Sequence, residues 1–474
     1  MSSRPNIIFI MADDMGYGDV GCYNPDSKIP TPNMDQLAAE GMRFTDAHSA
    51  SSVCTPSRYS VLTGRYCWRT RLKRGVNGGF SLPLIDPART TVASLLKDHG
   101  YTTAAVGKWH VGLEWQPQEG KDFDPESWTD EGAVDYTKPI IGGPLDLGFD
   151  YFFGIAGSLD MPPYCFIEND HTVGIPNVEK SPYNPQQLKG YMAPGWRDED
   201  CDPTFIKKAT GFIERSVAED PERPFFLYLT PAAPHRPCMP PDFAKGKSQA
   251  GPRGDMVWVV DWMVGQVMDT LEQLGCADDT LIIVTSDNGA RPFDVDGLMH
   301  GHKSCGDLRG YKGDIWDGGH REPFLVRWPG IIEPGSISNE TVCLADFIAT
   351  VADIVDLDLA PHTGEDSYSL LPLLHGGDEA SNERGAVVHH SMTGMFSIRQ
   401  GRWKLIMGLG SGGFSEPREG YSAFDDGPKG QLYDMIDDWR EQHNLWNERP
   451  DIVEQLSQVL TGFRENGRST PTRD

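Results

Sequence analysis

The chain has 474 residues, which favours one large domain with a smaller one beside it rather than a single small core. It carries 42 Lys and Arg against 69 Asp and Glu, and the resulting net charge of −27 argues against nucleic-acid binding and against anionic membranes. No stretch approaches the run of about 20 apolar residues that a membrane-spanning helix needs. Any site for an anion must therefore be a local cluster of cationic side chains acting against the overall field.

The start of the chain and its cysteines bear on the compartment. The apolar run at residues 7–11 is too short for a secretory signal and leads directly into Asp13 and Asp14, so we interpret it as a strand. We expect a cytoplasmic protein from the sequence as written, or a periplasmic or secreted one if a signal has been removed. Nine cysteines without a CxxC pair argue against a structural zinc site, and their odd number weakly favours a reducing compartment.

Four apolar runs predict buried strands of an α/β fold, with a large, mostly parallel sheet sandwiched by helices. They are residues 6–11, 102–106, 224–230 and 280–285. The polar residues that follow them are, in order, Asp13 with Asp14, Lys108 with His110, His235, and Asp287 with Asn288. Ligands bind outside the carboxyl ends of such strands, so four ends of this kind predict one converging site. For a single strand, an ordinary polar loop would be the better explanation.

Two further regions differ in character from these strands. Residues 111–205 are rich in Gly, Pro, Trp and Asp, and we expect long loops and insertions over the face that carries the site. Strands at 396–399 and Trp403–Ile406, joined by Gln400 and Gly401, precede a strand at Gln431–Asp434 and an amphipathic helix at 452–463. We predict a catalytic domain over residues 1–384 and a smaller α+β domain with an antiparallel sheet over 385–474.

Asp13, Asp14, Asp287 and Asn288 offer only oxygen ligands. Hard cations such as Ca²⁺ or Mg²⁺ prefer these ligands, whereas zinc sites usually include histidine. Two adjacent buried carboxylates repel each other unless a cation lies between them. Helix caps or solvated turns explain Asp13 and Asp14 about as well, and a plain turn explains residues 286–289.

The segment Cys54-Thr55-Pro56-Ser57-Arg58, with Thr63-Gly64-Arg65 after it, is the most specific pattern in the chain. It resembles the signature of type I sulfatases, the formylglycine-dependent members of the alkaline phosphatase superfamily. The resemblance continues in order through Gly107-Lys108-Trp109-His110, Asp287-Asn288-Gly289, Lys312, Asp317-Gly318-Gly319 and Arg321-Glu322-Pro323. Asp317 stands where many relatives have Glu. The resemblance implies an alkaline phosphatase-like fold and a sulfuric ester hydrolase of the arylsulfatase type.

The resemblance also implies a modified nucleophile. A formylglycine-generating or anaerobic maturation enzyme, a transient partner, converts Cys54 to formylglycine (3-oxoalanine), whose hydrate has two hydroxyls. One hydroxyl attacks sulfur, and the second later expels sulfate and restores the aldehyde, so that one hard step becomes two. Without maturation, Cys54 would leave a folded but nearly inactive protein.

Each matching residue receives a role from the resemblance. Asp13, Asp14, Asp287 and Asn288 hold one Ca²⁺ together with residue 54. Arg58 orients the diol, Lys108 bridges diol and sulfate, and His110 is the base for elimination. His235 and Lys312 bind sulfate and protonate or neutralise the leaving oxygen. Taken singly, each of these side chains has an ordinary structural explanation.

Residues 148–150 and 159–164 resemble sulfatases that act on carbohydrates, so a sulfated saccharide is the expected substrate. Asp160, His300 and His302 are candidate rim residues, although a mobile polar loop explains the two histidines slightly better. The tryptophans that could stack on sugar rings, or pack in the core instead, are Trp115, Trp128 and Trp196. Two alternatives stay open: a formylglycine-dependent phosphonate monoester or phosphodiester hydrolase, and a non-catalytic binder of sulfated glycans.

Overall fold

The computed structural model describes residues 4–129, 131–291, 300–377, 384–420 and 427–472. The strands are β1 (Asn6–Ala12), β2 (Met42–Phe44), β3 (Ala47–His48), β4 (Thr102–Lys108), β5 (Tyr151–Ile155), β6 (Phe166–Glu168), β7 (His171–Val173), β8 (Val178–Lys180), β9 (Gly190–Met192), β10 (Phe225–Thr230), β11 (Thr280–Ser286), β12 (Phe324–Arg327), β13 (Ser336–Ser338), β14 (Val342–Cys343), β15 (Val387–His390), β16 (Phe396–Gln400), β17 (Trp403–Ile406) and β18 (Gln431–Asp434). The α-helices are α1 (Pro32–Glu40), α2 (Cys54–Thr63), α3 (Val92–Asp98), α4 (Cys201–Glu219), α5 (Gly251–Leu274), α6 (Phe347–Ile354), α7 (Leu371–Leu374) and α8 (Pro450–Glu465).

Ten strands form the main sheet, in the order β13-β2-β12-β11-β1-β10-β4-β5-β6-β7. The central five, from β11 to β5, pair in parallel, whereas β12 and β6 run antiparallel to their neighbours on either side. Ala12 lies opposite Ser286, and Thr230 lies opposite Gly107, so the predicted strands end at one edge of the sheet. The predicted mixed, mostly parallel sheet is confirmed.

Helices cover both faces of this sheet. Ile7, Phe9 and Met11 of β1 pack into a core with residues of α2, α3 and α6, while Ile8 and Ile10 pack into a second core with residues of α1, α4 and α5. A strand that is buried on both faces needs apolar side chains at successive positions, which is why the sequence shows continuous runs rather than alternation. Each fully buried side chain of this size contributes about 1.5–3 kcal/mol.

The region at residues 111–205 departs from the prediction of loops alone. Strands β5, β6 and β7 extend the main sheet, and only β8 and β9 form a separate pair. Phe152 and Phe153 of β5 pack into opposite cores, so this strand is buried on both faces like the central ones. Trp115 and Trp196 are also buried, and their indole N–H groups donate to Gly79 O and to the Asp198 carboxylate. These two tryptophans are therefore core residues and not sugar platforms.

A second sheet, β15-β16-β17-β18, is antiparallel throughout, and α8 packs against β16 and β17. Its first hairpin differs slightly from the prediction, because Gln400 pairs with Trp403 and the turn is Gly401 with Arg402. Lys404 of β17 donates to the Asp317 carboxylate at 2.7 Å, which joins this sheet to the larger part of the molecule. The division between residues 384 and 385 stays a prediction. None of the helices in the described ranges is long and apolar enough to cross a membrane.

His390, the last residue of β15, generates a prediction about stability and pH. Burial lowers the pKa of its imidazole from 6.5 to about 4, so the folded protein keeps it neutral where the unfolded chain protonates it. Its contribution to stability is complete above about pH 6.5 and is lost as the pH falls toward about 4, with about 2 kcal/mol gone at about pH 5. In the variant His390→Gln, the side chain at position 390 binds no proton in either the folded or the unfolded state.

We expect the loss of melting temperature between about pH 7 and about pH 5 to be smaller in His390→Gln than in the unaltered protein. Thermal unfolding followed by circular dichroism measures this difference. His171→Gln, at a histidine whose side chain is 54% exposed, is the matched control and should leave the pH dependence unchanged. Equal pH dependence in His390→Gln and the unaltered protein would contradict the assignment.

Candidate active site

The residues predicted from the four strand ends come together at one edge of the main sheet. Asp13 and Asp14 directly follow β1, Lys108 ends β4, and Asp287 and Asn288 directly follow β11. Cys54 is the first residue of α2, and its side chain lies at the same place. All these residues are buried, with Cys54 only 2% exposed. The elements that bring them together are far apart in sequence, so the parallel order of the strands creates the cluster.

Two lysines each neutralise one carboxylate of the adjacent acidic pair. Lys108 Nζ lies 2.7 Å from Asp13 Oδ2, and Lys312 Nζ lies 2.5 Å from Asp14 Oδ1. Lys312 Nζ also lies 3.3 Å from the Cys54 sulfur. Burial disfavours the charged form of Lys312, but Asp14 and then Cys54 outweigh it and raise its pKa. Lys312 therefore presents a permanent cation to the side chain at position 54.

Arg58 lies one turn after Cys54 on the same face of α2. Its Nε and one terminal nitrogen donate to Asp287 Oδ2 at 2.9 and 2.7 Å, and its other terminal nitrogen donates to the Lys108 carbonyl at 2.9 Å. Both side chains of this ion pair are fully buried. Removing one partner of a buried pair costs about 3–5 kcal/mol, because the other charge is left uncompensated. Arg58 thus fixes α2, and Cys54 with it, against β11 and β4.

Three oxygen atoms in the cluster are suited to a cation. Asp13 Oδ1, Asp14 Oδ2 and Asn288 Oδ1 are buried and have no hydrogen-bond partner among the described residues. Burial raises the pKa of the Asp13 carboxyl, Lys108 opposes that rise, and Asp287 and Asp14 add to it. Buried oxygens without partners are costly, and a divalent cation is the partner that carboxylate and amide oxygens favour.

The geometry extends this donor set to residue 54. One ligand atom from each of Asp13, Asp14, Cys54 and His235 lies within 4.8 Å of the others. Asp287 and Asn288 reach the same point, because the Asp14 N–H donates to Asp287 Oδ1 at 3.3 Å and Asn288 Nδ2 lies 2.7 Å from Asp14 Oδ1. The residues present therefore fit a hard divalent cation beside position 54.

Two buried histidines face the cluster as neutral groups. His110 Nε2 donates to the Asn77 carbonyl at 2.8 Å, and its Nδ1 has no partner among the described residues. Burial, followed by the charges of Lys108 and Arg58, lowers the His110 pKa well below its usual value. His235 Nδ1 donates to the Arg236 carbonyl at 2.9 Å, and its Nε2 lies 3.7 Å from Asp14 Oδ2. Each imidazole thus keeps one free lone pair that can accept a proton.

Cys54 itself is a poor nucleophile as a thiol. Burial raises its pKa to about 11, although Lys108 and Lys312 act in the opposite direction. A reactive cysteine normally has a lowered pKa, because the thiolate is the attacking species. The position is therefore well placed for catalysis, while the unmodified side chain is not activated for it.

Of the predicted rim residues, Asp160 lies closest to the cluster. It is buried, and its Oδ2 accepts a hydrogen bond from Arg236 Nε at 2.6 Å, directly beside His235. His300 is half-buried, and its carbonyl accepts from Lys28 Nζ at 2.7 Å, so its place at a rim stays a prediction. Trp128 is 40% exposed and packs against Gly78, which follows Asn77, so it remains available to a sugar.

The structure places His302 in a buried network, so its place at a substrate rim stays a prediction. His302 is buried, its Nε2 lies 2.8 Å from Asp19 Oδ1, and its Nδ1 accepts from the Lys28 backbone N–H. Asp19 also pairs with Arg253 at 2.6 Å. His302 is therefore one member of a buried structural ion-pair network.

The sequence analysis missed three residues near the cluster. Asn77 holds His110 through its carbonyl and donates its N–H to Thr55 Oγ1 at 3.1 Å. Arg236 donates a hydrogen bond to the Asp160 carboxylate. The Arg291 guanidinium lies 5.2 Å from the centre of the Phe414 ring. Burial, followed by the charge of Arg236, lowers the pKa of Arg291. Arg236 directly follows His235, and Arg291 closely follows Asp287-Asn288-Gly289. Cations next to predicted site residues in an acidic chain could have identified both arginines from the sequence.

An α/β sheet whose edge holds buried lysines, an arginine and free carboxylate oxygens around one helix N-terminal side chain defines a hydrolase for anionic esters. Residues 5–357 match the family model described as Sulfatase. An N-acetylgalactosamine-6-O-sulfatase of Bacteroides thetaiotaomicron is 35% identical, over 98% of this chain and 94% of its own length. Human arylsulfatase A is 32% identical, over 96% of this chain and 87% of its own length.

The solved structures agree with the sequence comparison. A structure from work on glycosaminoglycan metabolism in Bacteroides thetaiotaomicron aligns with a TM-score of 0.82 and 31% identity, covering 98% of this chain and all of its own. The chain belongs to the sulfatase family and is an enzyme that hydrolyses sulfuric esters. The resemblance stated from the sequence is confirmed.

Proposed function

We propose that this sulfatase removes sulfate from a sulfated saccharide, using residue 54 as formylglycine and one Ca²⁺. The observation that carries the proposal is the position of Cys54, whose sulfur lies 3.3 Å from Lys312 and beside the partnerless oxygens of Asp13, Asp14 and Asn288. A nucleophile, a cation-binding oxygen set and a fixed positive charge lie together there. Sulfatases in general use a metal and a formylglycine, which supports assigning both to this cluster.

The two groups supply chemistry that the chain lacks. Formylglycine provides, when hydrated, one hydroxyl for attack and a second for elimination. Asp13, Asp14, Asp287 and Asn288 would hold the Ca²⁺, which would supply Lewis acidity at this place. The remaining residues of the cluster position the reacting atoms and handle protons and charge.

Arg58 and Lys108 orient the side chain at position 54. Arg58 is held by Asp287 and Lys108 by Asp13, so both cations are fixed before substrate arrives, which is the condition for effective electrostatic stabilisation. Lys312 places its charge on the side of the sulfate. Because burial lowers the pKa of both histidines, both are neutral before substrate arrives. The free Nδ1 of His110 can then accept the proton of the second hydroxyl, whereas His235 acts on sulfate or the leaving oxygen only with a proton on Nε2, which the negative charge of sulfate favours.

The relatives favour a carbohydrate substrate. The similar enzyme of Bacteroides thetaiotaomicron is an N-acetylgalactosamine-6-O-sulfatase, so we propose a 6-sulfated amino sugar as the first compound to test. Turnover of a panel of sulfated monosaccharides, an aryl sulfate and a phosphonate monoester measures the proposal directly. Higher kcat/KM for the phosphonate than for every sulfate would show that the protein is a phosphonate hydrolase instead. Binding without any turnover by the matured enzyme would indicate a glycan-binding protein.

The first prediction concerns the modification at position 54. After expression with a maturation enzyme, mass spectrometry of the peptide around residue 54 should show the aldehyde in place of the thiol, and turnover should rise with the modified fraction. Cys54→Ala should abolish turnover, whereas Cys67→Ala, at a buried cysteine outside the cluster, should keep it. Full activity of a protein with only unmodified Cys54 would contradict the proposal.

The second prediction concerns the cation. Asp287→Ala removes a ligand and leaves Arg58 unpaired, so we expect loss of bound Ca²⁺, measured by elemental analysis, and loss of turnover of an aryl sulfate by at least about a hundredfold. Asp269→Ala, which removes an exposed carboxylate from α5, is the matched control. Undiminished turnover in Asp287→Ala would rule out this cation site.

The third prediction separates the two halves of the reaction. His110→Ala removes the base for elimination but no group that contacts the leaving oxygen, so release of sulfate should slow more than release of the alcohol. With an aryl sulfate, rapid-mixing kinetics should then show a burst of phenol equal to the enzyme concentration, followed by a slow phase. Equal slowing of both steps would count against the assignment of His110.

A further inference from the structure

A basic groove lies between the loop after α2, the turn after β15 and the end of α8. Its volume is about 830 Å³, and its charged lining consists of Arg65, Arg69, Lys73, Arg74, Arg464 and one acid, Glu465. Five cations against one carboxylate is the reverse of the whole chain, in which acids outnumber bases by 69 to 42. A local reversal of this size on an acidic protein indicates a place for anions.

Two of these cations are already paired with carboxylates that do not line the groove. Arg69 binds both oxygens of Asp366 at 2.9 and 2.8 Å, and Arg65 lies 3.3 Å from Glu365. The exposed ones are not, since no ion pair joins Arg74 or Arg464 to a carboxylate in the part of the chain that the structure describes. The Arg464 guanidinium lies 5.1 Å from the centre of the Phe396 ring, which holds it over the groove.

Lys73 adds a third exposed cation to the groove. Its Nζ donates to the Trp68 carbonyl at 2.7 Å, which fixes the ammonium group and leaves its charge uncompensated by that contact. Three exposed cations with one facing acid, Glu465, leave a net positive groove even after the pairs of Arg65 and Arg69 are discounted.

Both walls of the groove belong to segments that lead to the active site. Arg74 lies three residues before Asn77, whose carbonyl holds His110, so the two backbones are at most about 11 Å apart. On the other wall, Thr393 and Gly394 follow Met392, whose N–H donates at 2.9 Å to the carbonyl of Gly313, the residue after Lys312. The N–H of Gly75 donates to the Met392 carbonyl at 2.9 Å, which ties the two walls together.

We propose that this groove binds further sulfate or carboxylate groups of an extended anionic saccharide whose reacting sulfate ester lies in the active site. The inference rests on the proposed function, because it takes the substrate to be a sulfated sugar. A monosaccharide in the active site contributes a single anion and leaves Arg74 and Arg464 without a ligand, whereas a chain with repeated anionic groups can occupy both places. The preferred substrate is therefore an oligosaccharide or polymer end and not a free sulfated monosaccharide.

Electrostatic range supports a direct contact instead of distant steering. The Debye length at physiological ionic strength is about 8 Å, so the field of the exposed cations of the groove is screened beyond about that distance. They can act strongly only on anionic groups that enter the groove. Changing them should therefore affect long substrates and spare short ones.

The test compares the double variant Arg74→Glu/Arg464→Glu with the unaltered protein. Binding is measured by calorimetry in the Cys54→Ala background, where no turnover occurs, with a chondroitin 6-sulfate octasaccharide and with N-acetylgalactosamine 6-sulfate as probes. We expect the double variant to lose at least about tenfold in affinity for the octasaccharide, with a shallower dependence on salt, and to bind the monosaccharide unchanged. In the matured enzyme, kcat/KM for para-nitrophenyl sulfate should also stay unchanged.

Two further variants keep the result interpretable. Lys138→Glu/Lys207→Glu makes the same change of net charge at exposed lysines outside the groove, and Arg74→Ser/Arg464→Ser removes the charges with less disturbance of folding. Equal octasaccharide affinity in the groove variants and the unaltered protein would overturn the inference, as would an equal loss in the lysine control or in monosaccharide binding. Because binding is measured without turnover, a failure of the proposed sulfatase chemistry would be seen separately, in the panel of esters.

Discussion

The buried ion pair between Arg58 and Asp287 is the contact on which the active site depends. It joins α2, one turn after the first residue of the helix, to the end of β11, and it sets where Cys54 lies, because residues 54 and 58 share one face of the helix. Through the hydrogen bond from Arg58 to the Lys108 carbonyl, the same contact also holds the end of β4. Three elements that are distant in sequence are thus held together at one point, and the side chain at position 54 is placed by an electrostatic contact as much as by apolar packing.

Charge balance explains how an acidic protein can act on an anionic ester. The cluster contains three carboxylates and three cations in close contact, namely Asp13, Asp14, Asp287, Arg58, Lys108 and Lys312. These formal charges cancel, although Asp13 Oδ1, Asp14 Oδ2 and Asn288 Oδ1 still lack hydrogen-bond partners among the described residues. The proposed divalent cation would add a net positive charge beside position 54, where the local field would then be opposite in sign to that of the whole surface. The basic groove repeats this local reversal on the outside.

The sequence revealed four of the five central strands, namely β1, β4, β10 and β11, and the residues that meet at their ends, because both have local signals. Strands that are buried on both faces appear as continuous apolar runs, and the residues at their ends form recognisable segments such as 54–58 and 107–110. It did not reveal β5 to β7, whose short apolar runs lie in a region rich in Gly and Pro. The burial of His302 depends on Asp19, and the groove depends on Arg74 meeting Arg464. Such long-range pairings leave no mark in local composition.

The hydrogen bond from Lys404 to Asp317 connects the last ninety residues of the chain with the surroundings of the loop that carries Asp287 and Asn288. Asp317 begins a short turn whose Gly319 carbonyl accepts from the N–H of Gly289, immediately after Asn288. The antiparallel sheet therefore supports the loop of Asp287 and Asn288, although the sheet itself contributes none of the proposed cation ligands. Substitutions that disrupt α8 or the strands it packs against would therefore lower the affinity for the proposed cation. An enzyme shortened at its C-terminus would lose catalytic activity although every residue of its active site is still present.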